Sequence, residues 1–525
     1  MLSFFVTVPT IIAVLLYLFP NAKAGKILGI IFQAGLAVFA SHLFFESKQG
    51  KIISALGNFH SVMGIILKAD TLAAAFLILT SFMFLIVCFY TINGTHSRLF
   101  LLLLFIWQGM LNGIFLSRDL FTLFVLIEVK TVVAAVLIMY HRGNRSIYDG
   151  MLYLMINTAA VMFYLFGIGY VYKLTGTFDM SVAASSLAQL DRSQLILPFV
   201  LIMMPISLKC ALVPLYSWLP KAHGTLGAPT VVSAILSGLH IKTAVFLFIR
   251  FNDLFVNLDA SGFFLVIGII TGIVGFIFAL SQTDIKLILA YHTISQIGMI
   301  MIGLNLNDSY SQLGSIYHMF NHALFKSGLF LCAGIIAKAY GTRDIYKISG
   351  VFRRMPFVAT ATIMAAMGIT GTPLFNGSIS KYFIVYGASP LVNAAIIFIN
   401  LGTIMSFIKY SSMLFGRPDE TQQDAVKVDV CKQIAVLTLS GLCFAGGIFG
   451  EGFIRFLFNT TVRVDAAGYL EKSILFAASA IAGFLIFIFY IKKSKLLVKL
   501  RGVEIGFRGI CALMGVFFAV MLLVL

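Results

Sequence analysis

The stretch of the chain that decides its fold class runs from residue 318 to residue 336 and reads HMFNHALFKSGLFLCAGII. It contains no proline and has the length that an α-helix needs to cross a bilayer, about 20 mostly apolar residues. Within it, His318, His322 and Lys326 recur at every fourth residue, so their side chains stack along one face of the predicted helix. The stretch therefore predicts a membrane-spanning helix that carries titratable groups at a depth where charge is costly and usually functional.

The composition of the whole chain agrees with this stretch. Of its 525 residues, 60% are hydrophobic and 11% are charged, whereas soluble domains have about 25% charged residues. This balance excludes a soluble enzyme, and the 51 Phe against 11 Pro exclude a disordered or fibrous chain. The apolar runs are continuous over helical lengths, unlike barrel strands that alternate over about 10 residues. We therefore expect an all-α polytopic membrane protein.

Apolar runs and the polar residues between them predict about sixteen apolar segments. Because the last two segments do not both need to cross the bilayer, we expect about 14–16 transmembrane helices. The predicted spans cover residues 2–20, 26–45, 70–92, 98–117, 119–140, 149–173, 193–217, 228–251, 261–282, 284–305, 311–338, 355–388, 391–416, 430–450, 472–492 and 504–525.

Two of these spans carry helix breakers at membrane depth. In the seventh, Pro205 and Pro214 bracket Lys209, and in the twelfth the run 368–373 precedes Lys381. Proline removes a helical hydrogen bond, and broken helices at this depth are tolerated where backbone lines an enclosed or hydrated cavity, as in transporters. Because the breaks lie five spans apart, we expect two five-helix units, from the third to the seventh and from the eighth to the twelfth span.

The net charge of +17 would indicate nucleic-acid binding in a soluble protein. Here Lys and Arg lie mainly in short loops, and the loops after odd-numbered spans contain more of them, including the run 492–508. The positive-inside rule then places these loops in the cytoplasm and the N-terminus outside. We expect a multi-pass protein of the cytoplasmic (inner) membrane, with the lipid bilayer and no nucleic acid among its partners.

Glu128 is the ionisable residue of the fifth span that most needs a partner. Lys130 lies two residues on, about 200° around a helix, so the two side chains point to opposite sides. Glu128 therefore needs a cation from another helix, and Lys209 is the natural candidate. A static structural ion pair is the alternative interpretation.

Further titratable groups lie in the neighbouring spans: His240 and Lys242 in the eighth, His292 in the tenth and Lys381 in the twelfth. A lone His in a helix is usually a satisfied core residue, but a series of them on adjacent helices favours a proton path. An imidazole both takes and gives a proton near neutral pH, and burial brings the pKa of a lysine towards neutrality. Water wires and polar side chains such as Ser295, Asn321 and Thr243 would join the groups.

Four motifs follow one another in the middle of the chain. They are KCALVPLYSWLPKAH from Lys209 to His223, APT from Ala228 with Ser237-Gly238 and Ile241-Lys242-Thr243, Asp284-Ile-Lys286 with Ser295-Gln296, and His318, His322 and Lys326. In this order they resemble the antiporter-like family, which comprises the large membrane subunits of respiratory complex I, Mrp-type antiporter D-like subunits and proton-translocating subunits of membrane-bound hydrogenases. The resemblance covers roughly residues 65 to 415.

The resemblance implies two inverted five-helix repeats with broken seventh and twelfth helices, and proton transfer along a central polar axis. It assigns Glu128 and Lys209 to a regulatory pair and Lys381 to the terminal exchanger. The connecting relay would be Lys242, His318, His322 and Lys326, with Lys130, His223, His240 and His292 as secondary candidates. The chain would divide into N-terminal helices (1–65), a first antiporter-like repeat (66–217), a second (218–390) and C-terminal helices (391–525).

The function expected from the sequence is proton translocation by a membrane subunit of a multisubunit energy-converting complex, such as a membrane-bound hydrogenase, an Mrp-type antiporter or a complex I-like oxidoreductase. The sequence has no nucleotide motif, no phosphate loop and no C-x-x-C pair, so we expect no cofactor, no metal and no redox centre of its own. Its partners would be antiporter-like and small hydrophobic subunits, with a hydrogenase or other oxidoreductase module supplying the energy.

Two other functions stay open from the sequence: a self-sufficient secondary ion/proton antiporter, and a non-transporting membrane scaffold. A single mid-span carboxylate favours protons over sodium as the transported ion, since hard cations prefer oxygen ligands. Sodium passage would then belong to a partner.

Overall fold

The computed structural model describes residues 1–18, 22–56, 64–418 and 425–525. Two short strands, β1 (Ile52–Ala55) and β2 (Ile66–Ala69), pair antiparallel, and the other elements are helical. The first helices are α1 (Phe4–Leu18), α2 (Ala22–Gln49), α3 (Thr71–Thr91), α4 (Arg98–Leu116), α5 (Leu120–Ile138), α6 (Asn144–Thr175), α7 (Met180–Leu187), α8 (Arg192–Lys209), α9 (Trp218–Gly224), α10 (Thr230–Ile235) and α11 (Ile241–Leu254).

The second half of the chain continues in the same way. Its helices are α12 (Ser261–Ser281), α13 (Ile285–Leu304), α14 (Ser309–Tyr340), α15 (Val351–Arg354), α16 (Pro356–Thr370), α17 (Asn376–Ile384), α18 (Pro390–Ser411), α19 (Val430–Ile448), α20 (Gly450–Phe458), α21 (Ala466–Phe489), α22 (Lys495–Arg501) and α23 (Phe507–Val524).

The number and type of the spans agree with the sequence prediction. In the described ranges, 14 helical segments are long and apolar enough to cross a membrane, and α1 and α16 are shorter apolar helices. The two C-terminal helices α21 and α23 both belong to the spanning set. Residues 19 and 20, the predicted end of the first span, lie outside the described residues. The all-α polytopic fold with about 14–16 spans is confirmed.

The chain contains an internal repeat with a fixed spacing. Asp119 forms an isolated antiparallel bridge with Asp179, and Asp284 forms an equivalent bridge with Asp344. Asp284 lies 165 residues after Asp119, and Asp344 lies 165 residues after Asp179. Helices α6 and α14 share this spacing and are both 32 residues long. Each ends at a left-handed glycine, Gly176 with φ 72° and Gly341 with φ 66°, a conformation that favours glycine.

The repeat is inverted, because α5 and its counterpart α13 lie five spans apart, and an odd number of crossings reverses the direction of a helix. This confirms the two inverted five-helix repeats. The division of the chain at residues 65, 217 and 390 stays a prediction.

The seventh span is broken after Lys209, where α8 ends. Ala211 adopts a left-handed φ of 55°, which a residue with a Cβ rarely adopts. The indole Nε1 of Trp218 donates to the carbonyl of Leu208 at 2.8 Å and so satisfies one of the acceptors that a helix end leaves unpaired. The predicted span 193–217 did not anticipate that a second helix, α9, follows the break.

The twelfth span is broken between α16 and α17. Gly371 has a φ of 79° and Leu374 one of 70°, so the chain turns sharply where the sequence placed the Gly-Thr-Pro run. The ammonium of Lys381 donates to the carbonyl of Ile369 at 2.7 Å. A cation at the C-terminal end of a helix is favourable, and Lys381 therefore stabilises the break that it was predicted to follow.

The eighth span contains an irregularity that the sequence did not predict. Residues Leu236–His240 form a π-helical turn between α10 and α11. Such turns displace the regular hydrogen-bond ladder and are frequent at functional sites. Lys242 donates to the carbonyl of Ser237 within this turn.

Candidate functional site: a buried polar axis

The titratable residues selected from the sequence lie inside the helical bundle. All of them are buried except Glu128, which is half-buried. Burying a charge requires partners, so the contacts of each group indicate what it does.

At the first end of the axis, Glu128 and Lys209 do not form an ion pair in the described part of the chain. The ammonium of Lys209 donates to Thr131 Oγ1 at 3.3 Å and to Asn157 Oδ1 at 3.2 Å. Glu128 Oε2 accepts from Thr158 Oγ1 at 3.4 Å, and its Oε1 has no hydrogen-bond partner among the described residues. The two charges are close enough to interact electrostatically. The static ion pair is therefore absent from this conformation.

Lys130 connects the first repeat to the second. Its ammonium donates to Thr243 Oγ1 at 2.7 Å, and Thr243 Oγ1 donates to the carbonyl of His240 at 2.7 Å. The His240 ring contacts Trp107 Nε1 at 3.2 Å and Tyr153 Oη at 3.1 Å. Lys130 thus points away from Glu128, as the helical spacing predicted.

Trp107 and Tyr153 are site residues that the sequence reasoning missed. Both are fully buried, and a buried indole or phenol usually needs a partner for its polar atom. That rule could have drawn attention to them, but it does not say which partner they find.

The middle of the axis joins the eighth span to α14. Lys242 is in direct contact with His322 Nδ1, and Lys326 donates to the carbonyl of Leu289. His223 stacks on Phe330 with 4.7 Å between ring centroids, and the Lys326 ammonium lies 5.7 Å from the same ring centroid. The four titratable groups therefore lie along the part of α14 from His322 to Phe330.

The far end of the axis lies at the second break. His318 contacts Ser380 Oγ at 2.8 Å through Nδ1 and Gln296 Oε1 at 3.0 Å through Nε2. Lys381, next to Ser380, donates to Asn400 Oδ1 at 2.7 Å in addition to Ile369. Ser380, Gln296 and Asn400 were not among the predicted site residues, since short polar side chains are common in helices of every function.

Direct hydrogen bonds join these groups into separate clusters and do not form one continuous line among the described residues. The rings of His318 and His322 are 6.5 Å apart between centroids, with Phe325 packed against both. Both ring nitrogens of His223 and of His292 are buried with no hydrogen-bond partner in the described part of the chain. Proton movement between clusters therefore requires side-chain rotation or bridging water.

An open cavity reaches each broken span. A cavity of about 850 Å³ adjoins the first break at Tyr216 and Ser217, and its wall includes Lys221 and Glu504. A second cavity of about 650 Å³ adjoins the second break and reaches Lys381 and Asn400.

The charges at the mouth of the first cavity interact with one another. Glu504 pairs with Arg145 at 3.0 Å, and Lys221 donates to the carbonyl of Ile505 at 2.9 Å. Burial lowers the pKa of Lys221, against the opposing effect of Glu504 and Asp149. In the described ranges, no group of three or more His, Cys, Asp or Glu could hold a metal ion.

Residues 117–408 match the family described as "NADH:quinone oxidoreductase/Mrp antiporter, TM". This range contains the whole axis from Glu128 to Lys381.

Individual proteins are similar over larger parts of the chain. The D subunit of the Na(+)/H(+) antiporter of Alkalihalophilus pseudofirmus is 28% identical over 484 residues, 89% of this chain and 98% of that protein. The N subunit of the NADH-quinone oxidoreductase of Desulforudis audaxviator is 33% identical over 339 residues, 62% of this chain and 66% of that protein. One protein in the structure of the Mrp complex from Dietzia sp. DQ12-45-1b has the same fold, with a TM-score of 0.82, 22% identity, and coverage of 90% of this chain and 99% of that protein.

Proposed function

This chain belongs to the NADH:quinone oxidoreductase/Mrp antiporter family of transmembrane proteins, and we propose that it translocates protons as an antiporter-like subunit of a multisubunit energy-converting complex of the cytoplasmic membrane.

The proposal rests on the partners of two buried lysines, Lys209 and Lys381, and these partners are uncharged groups. Lys209 is bound by a hydroxyl and an amide, and Lys381 by an amide and a carbonyl. Neither ammonium has a carboxylate within ion-pair distance among the described residues, so the charged form of each is only partly compensated. A lysine in such a place changes its protonation state with a small change in its surroundings.

Glu128 is the group that would supply that change. In this conformation its carboxylate is half-buried and bonded to Thr158. Movement of the carboxylate towards Lys209 would favour the ammonium form, and movement away would favour release of the proton. Lys130 and His240 would then receive the charge and pass it to Lys242, His322 and Lys326, while His318 and Lys381 would complete the path.

The two cavities supply access from opposite sides. The first cavity is lined by loops that the positive-inside rule places in the cytoplasm. Protons would enter there, past Lys221 and Glu504. The second opens beside Lys381 and the beginning of α21, which the same rule assigns to the outer side with the N-terminus. Protons would leave there.

A partner subunit is proposed to cover Glu128. The side chain lies on α5 among exposed apolar residues, Phe121, Val125, Val129 and Val132. A half-exposed carboxylate that faced lipid at this depth would be costly. We therefore assign this face of α5 to an adjacent membrane subunit, which would also transmit the energy of an oxidoreductase or antiporter module.

The experiment measures proton transport in membrane vesicles that contain the assembled complex, with a pH-sensitive dye. We expect Glu128→Gln and Lys209→Ala to abolish transport while the complex still assembles. Lys173→Ala, at the end of α6 and away from the axis, is the matched control and should transport normally. Near-normal transport by both axis variants would show that the assigned roles are wrong.

A further inference from the structure

We propose that a basic cavity between α12, α18 and α22, on the side of the basic loops, binds the phosphate group of an anionic phospholipid. The cavity measures about 600 Å³, and its polar walls are Ser281, Tyr346, Lys409, Lys492, Ser494 and Arg501. None of these residues belongs to the polar axis.

The position of the cavity is that of a lipid headgroup. Ser281 is the last residue of α12, Lys409 lies in the last turn of α18, and Lys492 follows the end of α21. All three helices are long and apolar enough to span a membrane, so their ends mark the boundary between hydrocarbon and water. Basic pockets between spanning helices at this level are suited to anionic headgroups.

The charge of the cavity complements a phosphate. Lys409, Lys492 and Arg501 contribute three cations, and the lining contains no carboxylate among the described residues. The acidic group that acts on Lys409 is Asp344, which lies outside the lining and accepts from the backbone nitrogen of Tyr346 at 3.1 Å. The net charge of the cavity lining is therefore positive.

Two of these cations are fixed in place by the backbone. The buried ammonium of Lys409 donates to the carbonyl of Leu280 at 2.7 Å and also to that of Gln282. Arg501 Nε donates to the carbonyl of Ser281 at 2.9 Å. The site is thus built before any ligand arrives, which lowers the cost of binding.

The segment that closes the cavity has the character of an interfacial helix. Between the spans α21 and α23, helix α22 carries Lys495 and Lys499, while Leu496 and Val498 are 66% and 61% exposed. Apolar side chains beside lysines suit the boundary of an anionic membrane. Exposed apolar residues beside a basic pocket favour a lipid over a soluble phosphate ester or an acidic protein segment.

The test measures binding of phosphatidylglycerol to the purified full-length chain in detergent, by native mass spectrometry and by thermal stabilisation. We expect the double variant Lys492→Gln/Arg501→Gln to bind this lipid about tenfold more weakly. The matched control is Lys495→Gln/Lys499→Gln, which removes the same charge from α22 outside the cavity and should bind as the unaltered chain does.

Three outcomes would overturn the proposal. Equal weakening in both double variants would show general surface attraction with no site. Equal stabilisation by glycerol phosphate would identify a soluble anion as the occupant, and equal binding of phosphatidylcholine would show that the charge has no role. Because neither variant alters the axis, loss of lipid binding with intact proton transport separates this proposal from the proposed function.

Discussion

The two repeats build the same backbone and carry different chemistry on it. At the 165-residue spacing, Asn157 on α6 corresponds to His322 on α14, and Thr131 on α5 corresponds to Gln296 on α13. In the first repeat, these positions hold Lys209 by an amide and a hydroxyl. In the second, His322 contacts Lys242 and Gln296 contacts His318.

The difference shows how the charge is distributed along the axis. The first repeat carries Glu128 and Lys130 on α5, and its α6 has the uncharged Tyr153, Asn157 and Val161 where α14 has His318, His322 and Lys326. The second repeat has Thr293 and Ser295 at the matching places on α13, and its α14 carries His318, His322 and Lys326 in a row. One repeat therefore holds a carboxylate that can modulate a lysine, and the other holds a row of proton carriers.

Among changes that probe the difference between the repeats, the largest effect is expected when the second repeat receives the residue of the first. In His322→Asn, Lys242 keeps a hydrogen-bonding neighbour but loses a titratable one, so transport in vesicles should fall about 100-fold. Transport close to normal in His322→Asn would mean that Lys242 exchanges protons without the imidazole.

A smaller effect is expected at the junction between the repeats. Thr243→Val keeps the shape of the side chain and removes the acceptor of Lys130, so transport should fall about tenfold. Thr362→Val, a buried hydroxyl that donates to its own helix at Val358, should leave the rate unchanged. If Thr243→Val also transported at the rate of the unaltered protein, the two repeats would be coupled by another route.

A few-fold effect on transport is expected when Lys209 loses one of its hydrogen-bond acceptors. Asn157→Leu removes one of its two neutral acceptors, while Thr131 remains, and transport should fall about fivefold. The fall should be accompanied by a shift in the pH at which the rate is half-maximal. A lowered rate with an unchanged pH profile would indicate a packing defect instead.

The smallest effect on transport is expected at the ion pairs that hold the repeats together. Asp70 pairs with Arg118 at 2.7 Å and with Arg250 at 2.5 Å, one arginine from each repeat. Burial acts against the Asp70 carboxylate, but Arg250 and Arg118 outweigh it and lower the pKa of Asp70. Asp70→Asn should leave transport within about twofold and reduce stability by roughly 2 kcal/mol at neutral pH, less than for a fully buried pair.

The sign of the pH dependence follows from the lowered pKa. The pairing stabilises the folded state above the ordinary carboxyl pKa and is lost as the pH falls through the folded value. Thermal unfolding of the two proteins should therefore differ most near neutral pH and converge in acid. Glu471→Gln, at an exposed carboxylate, is the control. A difference that persists at low pH would show that Asp70 acts through packing.

Much of the fold could be predicted from the sequence because hydrophobic length is a local property. Apolar runs located the spans, and Gly371 and Pro373 located the second break. The sequence did not predict α9 or the π-helical turn at Leu236–His240. Their conformation depends on packing against neighbouring helices, which no local pattern of residues indicates.

The candidate site divides in the same way. The sequence alone determined which ionisable residues lie at membrane depth, since a Glu, Lys or His inside an apolar run is carried into the bilayer with the helix that contains it. Only the tertiary structure decided their partners: Lys209 is bound by Thr131 and Asn157 instead of Glu128, and Lys130 reaches Thr243 in the other repeat. The physical reason is that burial follows from the free energy of transferring a side chain, whereas a hydrogen bond depends on how distant helices orient their side chains.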